Sequence, residues 1–200
     1  KKIVYLYLEK RDLTEVTPSE WIQALIDKGA SRKKGKLGEE KLMNILSKNK
    51  YSKAASIKDL LNSKMSFGQC SKSGPFSNKI IKEEFDLNFT KHNQNKSLDL
   101  IIKKDKDIFL LEAKHIHVSG GAQDKQIGEL INLIGLKSDK YNVHIVAFLD
   151  GRYSNMLLES NPVNKKKNKP NTQHKNIIHY LKINPSNYWI NTAGFKKLFT

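Results

Sequence analysis

Between Ser97 and His117 the chain carries two runs that suit extended backbone, Leu98-Asp99-Leu100-Ile101-Ile102 and Ile108-Phe109-Leu110-Leu111-Glu112-Ala113-Lys114. They are rich in aliphatic, β-branched and aromatic residues, and the charged stretch 103–107 between them is short enough to close a β-hairpin. Ser119-Gly120-Gly121 follows as a flexible joint. A helix is then predicted over 122–137, with Ile127, Leu130, Ile131 and Ile134 on one stripe, and an apolar strand over 143–149 that ends at the turn signal Asp150-Gly151. Strand, helix and strand in that order make a right-handed crossover with the two strands parallel. The fold class expected is therefore α/β, a central mixed β-sheet flanked by helices on both faces.

The rest of the chain is read around that unit. Ile3 to Leu8 suits a short buried strand. Thr17-Pro18-Ser19-Glu20 reads as an N-cap, a proline in the first turn and a capping-box glutamate, which predicts a helix over 18–28 that buries Trp21, Leu25 and Ile26. A basic connector, Ser31 to Lys36, leads into a second helix over 37–47, whose buried stripe is Leu42, Ile45 and Leu46. On the helical wheel Glu39 sits at the edge of that stripe and Glu40 on the solvent side. Residues 51–95 predict a short helix at 57–61 and a Gly, Ser and Lys-rich stretch at 66–78 read as loop with room for a strand. The last fifty residues predict a basic loop at 161–175, a helix at 176–181, a strand at 188–192 and a short terminal helix.

Two hundred residues at 38% hydrophobic content support one substantial core. The expectation is a single domain over 1–200, with a core at 35–150 and a C-terminal DNA-binding or dimerisation extension at 151–200. Thirty-six Lys and Arg against twenty Asp and Glu leave a formal charge of +16, a field that attracts a polyanion. Nucleic acid is the commonest such partner, because neutralised phosphates release counterions. No long basic amphipathic helix is present to lie on a membrane, and no run is apolar enough to span one. Cys70 is the only cysteine, so an internal disulfide and a cysteine-built zinc site are both excluded. The opening Lys1-Lys2-Ile3-Val4-Tyr5 lacks the apolar core of a signal peptide and begins without Met, which leaves room for residues upstream. A reducing, cytoplasmic setting is expected.

Asp99 interrupts an apolar strand, where an ionised side chain is rare unless it is paired or binds a cation. On the partner strand Glu112 and Lys114 are two apart, so both project from one face while Ala113 turns the other way. With the hairpin folded, Asp99 can share that face. Two carboxylates and the Ala113 carbonyl are hard oxygen donors of the kind magnesium takes, with manganese able to substitute. Such a cation polarises a scissile phosphate and acidifies a bound water, while Lys114 can orient the water and balance charge in the transition state.

This arrangement resembles the PD-(D/E)XK nuclease superfamily, whose type II restriction endonucleases share a helix, a hairpin carrying the acids and the lysine, a crossover helix and a further strand. Asp99 matches the first acid, Glu112 the second and Lys114 the lysine, and the resemblance spans residues 35–150. It implies that Asp99, Glu112 and Ala113 hold the metal. A glutamate on the preceding helix often joins the site in that family, and in Lys36-Leu37-Gly38-Glu39-Glu40 the wheel selects Glu39. Leu98 stands where the family has proline. Gln123 and Gln126 open the crossover helix, where an N-terminus can meet a phosphate, and are accessory candidates. His115 and His117 are read as an ordinary polar strand end.

The resemblance implies a site-specific endonuclease that hydrolyses phosphodiester bonds in double-stranded DNA. It also implies a homodimer with one active site per strand, a prokaryotic source and no small-molecule substrate. Two alternatives carry the same core: a structure-selective repair, recombination or mobile-element nuclease, and a non-catalytic DNA-binding module.

Overall fold

The computed structural model describes residues 37–87, 98–116, 120–138, 140, 142–159 and 169–200. The strand expected at 3–8 and the helix expected at 18–28 lie outside the described residues. The chain divides into two compact units, residues 1–40 and 41–200. In the first, residues 37–40 are helical and open a helix, α1, that runs to residue 48.

The larger unit is built on a six-stranded sheet in the order β1-β2-β3-β4-β5-β6. The strands are β1 (Ser52–Lys53), β2 (Met65–Gln69), β3 (Leu100–Lys104), β4 (Asp107–His115), β5 (Asn142–Asp150) and β6 (Tyr188–Ile190). β2, β3 and β4 pair antiparallel, whereas β1 is parallel to β2 and both β5 and β6 continue parallel from β4. The sheet is therefore mixed and the class is α/β. The helices are α2 (Ile57–Asn62), α3 (Asn78–Phe85), α4 (Gly121–Leu133), α5 (Arg152–Glu159), α6 (Lys169–Ile183) and α7 (Thr192–Phe199).

Period-two alternation sorts the core into two faces. Leu100, Ile102, Phe109, Leu111, Val146 and Phe148 face one way and pack with Leu42 and Leu46 of α1 and Phe195 and Phe199 of α7. Ile101, Ile108, Leu110, Val143 and Ile145 face the other way and meet Leu60, Ile81, Phe85 and Leu133 of α2, α3 and α4. Further along that second face, Ala147 and Leu149 pack with Ile127 and Leu130 of α4, Tyr153 and Leu157 of α5 and Ile177 of α6. Each fully buried Phe or Leu contributes about 1.5–3 kcal/mol over its exposed state.

The hairpin, the crossover helix and β5 agree with the sequence reading to within a few residues. The hairpin turn is tighter than the charge run suggested, with β3 extending to Lys104 and Asp105 at φ 54 making the reversal. The stretch 66–78 is loop over residues 70–77, with β2 occupying its start and α3 beginning at Asn78. Gly68 permits this, since a Cβ there would lie 2.5 Å from the Phe76 ring that covers it. The basic loop is shorter than expected, because α6 begins at Lys169 and takes up Lys175. The strand at 188–192 ends at Ile190, since Asn191 caps α7 by accepting the Gly194 N–H at 3.0 Å.

The turn just past the end of α4 is held from elsewhere in the chain. The buried Asn187 amide donates to the Ile134 and Leu136 carbonyls at 2.9 and 2.8 Å and accepts the Ile145 N–H at 2.9 Å. One side chain thus ties the end of the crossover helix to β5. Among the described residues no helix is long and apolar enough to cross a membrane.

Candidate active site

The ladder between β3 and β4 fixes the first part of the site. Leu100 lies opposite Leu111 as the last pair of that ladder, and Asp99 stands one residue beyond it. The Asp99 N–H donates to the Leu111 carbonyl at 2.8 Å, while the Asp99 carbonyl accepts the Cys70 N–H at 2.9 Å on the β2 side. The backbone bends here, and β3 proper begins only at Leu100. At the next rung the side chain takes over, and the Asp99 carboxylate accepts the Ala113 N–H at 2.7 Å. Asp99 thus stands at the end of its strand rather than in the middle, with its charge held against β4 between Glu112 and Lys114.

Leu98, the residue before Asp99, is buried, and its N–H donates to the Asn78 side-chain oxygen of α3 at 3.3 Å.

Glu112 and Lys114 project from the face that carries α4. Glu112 is buried, with 8% of the residue exposed, and its carboxylate accepts a hydrogen bond from the Lys114 ammonium. Burial alone would lower the Lys114 pKa, but the carboxylates of Glu112, Asp99 and Glu129 outweigh it and hold the ammonium above the ordinary lysine range. Lys114 is consequently a fixed cation at neutral pH. Asp99, Ala113, Glu112 and Lys114 come together at the C-terminal end of β4.

The donor chemistry suits a hard divalent cation. A carboxylate has about four lone-pair sites, so the bond from Ala113 leaves Asp99 with capacity for a metal. Residue 111 offers its carbonyl and residue 113 its N–H to the β3 side, so the Ala113 carbonyl lies along that same edge, beyond the end of β3. Among the described residues no group of three or more His, Cys, Asp and Glu side chains gathers in the manner of a metal site. The candidate set uses two such side chains and a backbone oxygen.

The other predicted residues are placed as follows. Glu39 opens α1 in the smaller unit and is partly exposed, as is Glu40, so exposure does not separate the two. The packed stripe of α1, Leu42 and Leu46, meets the sheet face opposite the one that bears Glu112 and Lys114. Gln123 is half-buried, with its amide oxygen 2.7 Å from where a Cβ on Gly120 would stand, and Gln126 is exposed. His115 ends β4 exposed, and His117 lies outside the described residues.

Sequence reasoning missed Glu129, whose charge reaches Lys114 from α4. The available signal was its position three residues after Gln126, on the flank of the apolar stripe. Asp150, a turn signal in the sequence, has a further part in the fold. It accepts hydrogen bonds from the Thr192 hydroxyl at 2.6 Å and from Lys41, whose ammonium also donates to Thr192 at 3.1 Å. These three link β5 to α1 and α7. Comparison with protein-family models, with curated proteins and with solved structures finds no match to this chain.

Proposed function

We propose that this chain is a magnesium-dependent endonuclease that cuts double-stranded DNA at specific sites, on a restriction-endonuclease-like core of the PD-(D/E)XK type. The observation that carries the reading is the Asp99 carboxylate seated on the Ala113 N–H, which brings the first acid beside the glutamate and lysine of the partner strand. The element order gives further support: a helix, a hairpin carrying the three residues, a crossover helix and a parallel strand. The formal charge of +16 suits a DNA partner.

Asp99, Glu112 and the Ala113 carbonyl would hold the magnesium ion, which when bound supplies Lewis-acid polarisation of the scissile phosphate and neutralises its charge. Lys114 acts by charge and by donation: as an ammonium it can orient an attacking water and stabilise the phosphoryl oxygens. The Glu112 carboxylate keeps Lys114 pointed at that region. Cleavage on two strands calls for two copies of the site, hence a homodimer. The test is digestion of plasmid DNA with magnesium by the native chain, by Asp99→Ala and by Lys114→Ala, with DNA binding measured in parallel. Discrete bands from the native chain, lost in both variants while binding persists, are expected. Undiminished cutting by Asp99→Ala would overturn the assignment.

A further inference from the structure

At the end of β4 away from Glu112 and Lys114, a histidine is held with one ring nitrogen toward a carboxylate. Asp107 and Phe109 of β4 lie opposite Asn142 and His144 of β5, and the period of two turns all four to the face that carries α7. The His144 ring stacks on Phe109 with centroids 4.9 Å apart and meets the Tyr188 ring edge-on at 5.8 Å. Its Nδ1 lies 2.7 Å from the Ser186 carbonyl oxygen, which can only accept, so Nδ1 carries the hydrogen. The next residue, Asn187, is itself fixed by three side-chain hydrogen bonds. Ring plane and tautomer are therefore both set by the fold.

In the neutral ring of that tautomer Nε2 presents a lone pair, and it stands 3.3 Å from Oδ1 of Asp107. A lone pair and a carboxylate repel, so the two call for a cation between them. A second proton on the ring is one such cation, but charge-assisted N–H···O bonds close to about 2.7–2.9 Å. Zinc bonds of about 2.0–2.2 Å to nitrogen and oxygen put two tetrahedral ligands about 3.4 Å apart, close to the separation here. The Lys104 ammonium, opposite Asp107 in the hairpin, is engaged with the Leu198 carbonyl at 2.7 Å. We propose that His144 and Asp107 form a transition-metal site, for zinc or a similar imidazole-seeking dication, with water completing the shell. The Asp107 side chain is 45% exposed, which leaves the cation a way in. A carbonyl that orients the ring from its far nitrogen is the support that metal-binding histidines have. The site stands apart from the carboxylates assigned to magnesium and does not depend on the nuclease reading.

The experiment titrates zinc chloride into the full chain near neutral pH, by calorimetry. It compares the native protein with His144→Gln and Asp107→Asn, and takes His115→Gln and His179→Gln as controls. Either of the first two should weaken the site at least about tenfold, and the controls should keep the native affinity. Asp107→Asn keeps its shape at an exposed position, so a loss there is not misfolding. Zinc should also raise the melting temperature of the native chain, because it binds the folded state, and not that of His144→Gln. Asn142→His, which sets a second imidazole two residues away on the same strand face, should tighten binding. Equal uptake by all the variants overturns the proposal. A native chain that takes up no zinc overturns it too, and nitrogen resonances showing both His144 nitrogens protonated would then assign the pair to an imidazolium and its carboxylate.

Discussion

The Asp99 carboxylate accepts the Ala113 backbone N–H at 2.7 Å, so a side chain occupies the rung that the backbone of β3 leaves open. The same atoms close the sheet and place a charge at its edge. Asp99→Asn keeps a hydrogen-bond acceptor for Ala113, whereas Asp99→Ala strands that N–H at a cost of about 1–3 kcal/mol. Both remove the carboxylate, so both should lose magnesium-dependent cleavage by roughly 10²-fold or more. Urea denaturation and plasmid digestion together separate the two roles: Asn should keep stability and lose activity. Full cleavage by a stable Asp99→Asn would show that the carboxylate serves the fold alone.

Glu112 and Lys114 form a pair whose members cannot be removed independently. Lys114→Met leaves the buried Glu112 carboxylate without its hydrogen-bonded cation, and about 3 kcal/mol of stability should go with it. Replacing both, as Glu112→Leu with Lys114→Met, takes the buried charges away and should return most of that loss without restoring cleavage. A double variant as unstable as the sum of its singles would argue that packing dominates over charge at this strand end.

The parts of the fold legible in the sequence were those in which one physical signal acts alone. Alternation in 98–114 and the stripe Ile127, Leu130, Ile131, Ile134 follow from burial on one face, and the hairpin, α4 and β5 stand where those patterns put them. β2 was obscured because Ser66, Gly68 and Gln69 are poor strand formers whose pairing with β3 decides the matter. Gly68 reads as a breaker in sequence and in the fold is the position that admits the Phe76 ring. At the site, the two-residue spacing of Glu112 and Lys114 was readable because strand period alone fixes it. Glu129 was not, because the effect of its charge on Lys114 depends on how α4 packs on the sheet, a tertiary fact. The tie between the turn after α4 and β5 likewise depends on Asn187, more than fifty residues away in the chain.

That asparagine gives a prediction about the crossover. Asn187 is buried and its side chain makes three hydrogen bonds, two to carbonyls at the end of α4 and one from the Ile145 N–H. Asn187→Leu conserves size and removes all three partners, so about 2–4 kcal/mol should be lost through unpaired buried backbone groups. Hydrogen exchange should report the damage locally, with faster exchange at Ile145. Unchanged protection there would mean that water replaces the side chain.

Asp150 predicts how stability responds to acid. Burial opposes its charge, but the hydrogen bond from the Thr192 hydroxyl, the backbone N–H of Gly151 and the ammonium of Lys41 outweigh that and hold the carboxyl below the ordinary aspartate value. A carboxyl depressed in the folded state adds stability that is fully present above its unfolded value, about pH 3.9, and is lost as pH falls through the lower folded value. Thr192→Val deletes the shortest of these bonds, at 2.6 Å, and should cost about 1–2 kcal/mol at neutral pH, the usual size for a hydrogen bond to a charged group partly open to water. The gap between native and variant should stay constant from pH 8 to pH 5 and shrink below about pH 4, as the carboxyl takes up its proton in both. Denaturation curves at pH 7, 5 and 3 measure it. A gap undiminished at pH 3 would mean that the Thr192 hydroxyl contributes through neutral packing between β5 and α7, and that the charge on Asp150 is incidental to holding them together.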